Sequence, residues 1–122
     1  MRLSHLALAF AAFALATPQI ASAHARLVKS DPAANASVAA PKAITLTFDD
    51  ELTPAFSKAE LFMEMKGMAM KVPVKVVFGK DGKTMVATPQ AHVAPGSYHV
   101  DWTAAAAEDG HKMTGKVAFK VR

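Results

Sequence analysis

Apolar and polar residues alternate with a period of two along most of the chain, and clusters of turn-forming residues separate the runs. Ile44, Leu46 and Phe48 fall on one face, with Thr45 and Thr47 on the other. Ala59, Leu61 and Met63 alternate with Glu60, Phe62 and Glu64, and Tyr98, Val100 and Trp102 with His99, Asp101 and Thr103. The pattern predicts about seven short strands, over 25–29, 43–48, 58–65, 71–78, 84–88, 98–103 and 116–122. Turns fall at Ser30-Asp31-Pro32-Ala33-Ala34-Asn35 and at Gly79-Lys80-Asp81-Gly82-Lys83. Residues 66–70 read as a methionine-rich turn, and residues 104–111 as a connection. Ala104 to Ala107 is too short to stand as a helix. These signals imply an all-β fold, an antiparallel Greek-key sandwich or barrel. Pro73 points to an edge or an irregular strand start.

Alternation also assigns faces. Tyr98 and Trp102 belong to the core, whereas His99 points to solvent, as does the loop residue His92. Continued past Phe48, the pattern brings Asp50 to the core-side face at a strand end, where a carboxylate needs a partner.

The first 23 residues follow a different rule. Arg2 supplies a positive start, Leu6 to Ala16 is an apolar run, Pro18 breaks it, and Ala21-Ser22-Ala23 offers small residues to a peptidase. We therefore expect a secretory signal over 1–23 that is removed, leaving one exported domain over 24–122. The run is shorter than the roughly 18–20 apolar residues of a membrane span, so the mature chain is not expected to be membrane-embedded. It has no cysteine, which excludes disulfides, thiolate nucleophiles and thiolate metal sites. Its lysines are scattered from Lys29 to Lys120, so the net charge, +4 for the full sequence, reads as solubility and not as a nucleic-acid surface.

Cleavage after Ala23 would change the chemistry of His24. As a first residue it offers two nitrogens, the α-amine and the imidazole, a chelate that no internal histidine can make. Asp109-Gly110-His111 can complete such a site: His111 with a third nitrogen, Asp109 with a carboxylate oxygen or by orienting a bound water. Three nitrogens in a T-shaped arrangement, a histidine brace, suit Cu(II), which prefers tetragonal nitrogen and oxygen donors. Ligands that must lose protons make binding weaker in acid. The alternatives are plain: His24 as an ordinary loop histidine, and Asp109-Gly110 as a common turn dipeptide.

The residues also carry a family resemblance. His24-Ala25-Arg26-Leu27-Val28, Ser30-Asp31-Pro32-Ala33, Leu46-Thr47-Phe48-Asp49-Asp50-Glu51-Leu52, Gly96-Ser97-Tyr98-His99-Val100-Asp101-Trp102 and Asp109-Gly110-His111 before Thr114-Gly115 resemble CopC-type periplasmic copper-resistance proteins over the whole mature chain. The resemblance implies an immunoglobulin-like or cupredoxin-like β-barrel or sandwich. It implies a monomer that binds Cu(II) in the periplasm and works with an inner-membrane CopD-type copper protein. His24 and His111 match the brace histidines, Asp109 the nearby carboxylate, and Asp50 a further acidic ligand position of some members.

The family's second site, for Cu(I), uses methionine thioethers and a histidine. Met63, Met65, Met68 and Met70 offer soft sulfur on alternating positions, but no histidine lies between them. The bland alternative is that methionines fill irregular gaps in a core.

Three functions are therefore open. A non-catalytic Cu(II) carrier, buffer or donor leads, ahead of a Met-based Cu(I) chaperone. A small histidine-brace copper monooxygenase would use the same copper ligands, but it needs an extended binding face with exposed aromatics, and a chain of this size needs its few aromatics for the core.

Overall fold

The computed structural model describes residues 24–122, so the expected signal over 1–23 lies outside the described residues. Nine strands follow in order: β1 (Leu27–Asp31), β2 (Ser37–Val38), β3 (Ile44–Phe48), β4 (Lys58–Met65), β5 (Met68–Val72), β6 (Val74–Phe78), β7 (Thr84–Pro89), β8 (Gly96–Ala105) and β9 (Lys112–Val121). One 3-10 turn spans Pro54–Phe56. The strands form two sheets, one ordered β1-β3-β7-β6 and the other β2-β9-β8-β4-β5. All pairings are antiparallel except that of β2 with β9. The all-β Greek-key expectation holds, as a two-sheet sandwich.

The core lies between the sheets, where the inward residues of each alternating run meet. Ile44, Leu46 and Phe48 of β3 and Met85 and Ala87 of β7 face Leu61 of β4, Tyr98, Val100 and Trp102 of β8 and Phe119 of β9, all buried. Phe48 and Trp102 pack edge-to-face with ring centroids 5.1 Å apart, and Tyr98 stacks on Phe119 at 5.7 Å. At about 25 cal/mol per Å² of apolar surface, this burial is the main stabilising term.

The strand count departs from seven for two reasons. β2 is a two-residue pairing too short to leave a pattern in the sequence. The run expected over 71–78 is broken at Pro73, with β5 on the edge of one sheet and β6 on the edge of the other. Proline has no N–H to continue a ladder, and its carbonyl instead accepts the Gln90 N–H at 2.8 Å. The residues expected to form a methionine-rich turn are largely β5, which leaves Lys66-Gly67 as the turn with positive φ at both positions.

Two expectations about β8 fail. The alanine run is not a connection until Ala106, because β8 continues through Ala105. Ala104, Ala105 and Ala106 are fully buried, covered by the segment 52–57: Ser57 Oγ accepts the Ala105 N–H at 3.0 Å, and the Ala105 carbonyl accepts the Thr53 N–H at 2.8 Å. His99, expected in solvent, is 5% exposed. It does point away from the core, but its pairing partner Phe62 stacks on it with centroids 5.1 Å apart, and Glu64 Oε1 lies 2.8 Å from Nδ1. Nδ1 makes no hydrogen bond among the described residues, so Phe62 and Glu64 cover the ring by proximity.

Candidate metal centre

Two loops at one end of the sandwich carry the histidines. His24 precedes β1, whose register with β3 begins at Leu27 opposite Phe48. His111 sits in the β8–β9 connection, directly before Lys112, which pairs with Ala105. That connection is tight. Ala106 N–H donates to the His111 carbonyl at 3.0 Å, and Gly110 N–H donates to the Ala106 carbonyl at 2.9 Å. Gly110 takes φ of +71°, a left-handed conformation that a side chain would disfavour.

The arrangement brings the His24 and His111 rings together, edge to face, with centroids 4.1 Å apart and planes at 81°. Among the described residues, the buried His24 Nδ1 has no hydrogen-bond partner, whereas His111 is exposed. A buried polar atom without a partner is costly, and a bound cation would remove that cost. Asp109 Oδ1 accepts the His111 N–H at 2.9 Å and so holds the loop that aims the imidazole. Asp50 is half-buried, and its Oδ1 accepts the Glu51 N–H at 2.8 Å.

The Asp49-Asp50-Glu51 segment joins the two loops. Arg26 N–H donates to Asp49 Oδ1 at 2.7 Å, and Asp49 N–H donates back to the Arg26 carbonyl at 3.0 Å. The Glu51 carbonyl accepts the Ala107 N–H at 2.9 Å, and Leu52 forms an isolated bridge with Ala106. Five carboxylates, at 49–51 and at Glu108 and Asp109, therefore lie in the segments bracketing the histidines. Such a field favours a cation although the chain as a whole is positive.

Among the described residues, no group of three or more His, Asp or Glu side chains converges tightly enough to hold a metal by itself. The described side chains supply two imidazoles at this end.

The four methionines lie at the opposite end. Met63 pairs with Met70 and Met65 with Met68 across the β4–β5 hairpin, so all four thioethers share one face. Met65, Met68 and Met70 are exposed, and Met63 is half-buried against the core. β4 spans the distance between the two ends, roughly 23 Å at about 3.3 Å per residue. His92 is exposed in the β7–β8 loop, and the buried His99 lies against Phe62 and Glu64.

Asp49 is the contributor that the sequence pattern did not single out. Its neighbour Asp50 drew attention by alternation, whereas the backbone clamp of Asp49 depends on a β1–β3 register that no local signal reveals.

Comparison with known proteins gives a consistent picture. The CopC domain family matches residues 27–122. The chain is 45% identical over 107 residues to copper resistance protein C of Pseudomonas syringae pv. tomato, covering 84% of each. Its fold is similar to that of PcoC, a methionine-rich copper resistance protein from Escherichia coli, with a TM-score of 0.74, 42% identity, and coverage of 81% of this chain and 99% of that one. It is also similar to CopC from Methylosinus trichosporium OB3b, with a TM-score of 0.69, 30% identity, and coverage of 80% and 93%.

Proposed function

Because the chain belongs to the CopC domain family, we propose that it is a periplasmic Cu(II)-binding protein of copper resistance that carries, buffers or donates copper without catalytic turnover. Copper is its cargo, held by a histidine brace once the chain is cut to begin at His24. The observation that carries this reading is the edge-to-face meeting of His24 and His111, with the buried His24 Nδ1 unpartnered among the described residues.

The donor chemistry fits. Two imidazoles alone make a weak site, and the α-amine of His24 supplies the missing third nitrogen. Asp109 orients the His111 loop through the His111 N–H, and Asp50 is the further carboxylate available to the ion. Imidazole and amine bind the metal in their neutral forms, so loading releases protons and acid favours unloading. That property suits a protein that hands copper on, and an inner-membrane CopD-type protein is the partner we assign.

A monooxygenase reading is less well supported. Oxidising a polymer needs a flat aromatic docking face, and among the described aromatic residues only Phe56 is exposed, beneath Lys112.

A second, softer site is favoured by one observation: four thioethers on one face of the β4–β5 hairpin, three of them exposed. Thioether sulfur selects Cu(I). We assign this end a Cu(I) role subordinate to the histidine end.

The deciding experiment compares two purified forms, one beginning at His24 and one retaining Ala23, by competition for Cu(II) and by electron paramagnetic resonance. We expect a tetragonal, nitrogen-rich signal and tight binding only in the form beginning at His24. Equal affinity and identical spectra in both would overturn the brace and move the ligands to internal groups.

A further inference from the structure

We infer that Asp49 is a positioning residue for the copper chelate: its carboxylate fixes the backbone two residues beyond His24 and so sets copper affinity without being a ligand. The inference rests on the Cu(II) reading above and adds a residue to it.

The β1–β3 ladder ends at Leu27 opposite Phe48, and its register slips between Leu27 and Lys29. Beyond that point the chain runs toward His24 with no regular pairing. Among the described residues, two main-chain hydrogen bonds hold this stretch, and both go to Asp49. Arg26 N–H donates to Asp49 Oδ1 at 2.7 Å, and the Arg26 carbonyl accepts the Asp49 N–H at 3.0 Å. The second bond belongs to the backbone and survives any substitution. The first depends on the side chain, and it is the stronger kind, because its acceptor is ionised.

Chain ends fray unless tied down. A chelate made from a terminal amine and its own imidazole needs that end held against His111. When the competent arrangement is populated only in part, apparent affinity falls by that fraction. Asp49 keeps the population high. Its place in the chain explains how one residue can do this. Asp49 ties down the His24 segment, and Glu51, two residues on, ties down the His111 segment through the Ala107 N–H. The two histidines are thus referenced to one short piece of backbone.

Asp49→Ala removes the acceptor, whereas Asp49→Asn keeps an oxygen in the same place and removes the charge. Both are made in the chain beginning at His24. We expect Asp49→Ala to weaken Cu(II) binding about tenfold, on the scale of one charge-assisted hydrogen bond, and Asp49→Asn, whose neutral oxygen still accepts the Arg26 N–H, to restore about half of the loss in free energy. The resonance parameters of bound Cu(II) should be the same in all three proteins, because the ligands are unchanged. In the metal-free protein, hydrogen-exchange protection of the Arg26 amide should fall in Asp49→Ala and return in Asp49→Asn.

Equal losses in both variants would show that charge and not tethering matters, and would overturn the inference. Spectra altered in Asp49→Ala would make Asp49 a ligand and overturn it too, as would unchanged affinity. Failure of the unsubstituted protein to bind Cu(II) would overturn the copper reading itself and this inference with it.

Discussion

His24 and His111 approach from opposite ends of the described chain until their rings meet edge to face at 4.1 Å. Among the described residues, neither ring is held there by a side-chain hydrogen bond of its own. What holds them is the chain on either side: Arg26 bonded to the carboxylate and the backbone N–H of Asp49, and the Ala106–His111 backbone pair.

His111→Ala should therefore leave the fold intact and remove most of the Cu(II) affinity. The loss should exceed the roughly 10–100-fold that removal of an outer partner costs. Asp109→Ala, which only loosens the His111 loop, should fall within that range. Competition titrations on the form beginning at His24 would check both, and a larger effect for Asp109 would reverse the assigned roles.

The hairpin methionines separate by burial. Replacing the exposed Met65, Met68 and Met70 with alanine should change unfolding free energy by no more than about 0.5 kcal/mol each, yet abolish any Cu(I) binding at that end. Met63→Ala should cost more, about 1–2 kcal/mol, because its side chain packs against the core. Denaturant unfolding and competition with a chromogenic Cu(I) chelator give the two readouts. Retained Cu(I) affinity in the triple variant would remove the hairpin from copper chemistry.

Gly115 lies opposite Trp102 in the β8–β9 pairing, and a Cβ there would sit inside the van der Waals shell of the indole. Gly115→Ala should destabilise the protein by about 1–3 kcal/mol, the usual cost of overpacking. Trp102 is the single tryptophan, so its fluorescence reports the unfolding midpoint directly.

Glu60 contributes a pH-dependent term. Hydrogen bonds from Lys58 and then Lys71, each with Nζ 3.2 Å from a carboxylate oxygen, hold its carboxyl below the ordinary 4.5. A carboxyl depressed in the folded state stabilises it above that ordinary value, and the contribution is lost as pH falls through the depressed one. Both lysines are well exposed, so the pair is worth less than about 1 kcal/mol. Glu60→Gln should lower stability slightly at neutral pH and converge with the unsubstituted protein in strong acid. A gap that persists at low pH would point to packing instead.

Much of this could be read in the sequence because a strand's period of two is a local property. Ile44, Leu46 and Phe48 announced their face, and Tyr98, Val100 and Trp102 announced theirs. What remained hidden depends on partners distant in the chain. Alternation correctly turned His99 outward, but an outward residue is exposed only if its neighbours leave it bare, and Phe62 and Glu64 come from β4. Asp49 was hidden for the same reason, since its role exists only once β1 lies beside β3. Pro73 signalled an irregularity without saying that the chain would change sheets there. The two histidines were legible as chemistry, by residue type and by the small residues before His24, but their contact is a product of the fold.

The length of β4 and β8 has one more consequence. The histidine end and the methionine end lie at opposite ends of the sandwich and share no loop. Substitutions at such distances act independently. Each end is thus separately evolvable: a lineage can rebuild or abandon its thioether hairpin while the imidazole pair stays untouched, and the rigid strands between them keep the change from propagating.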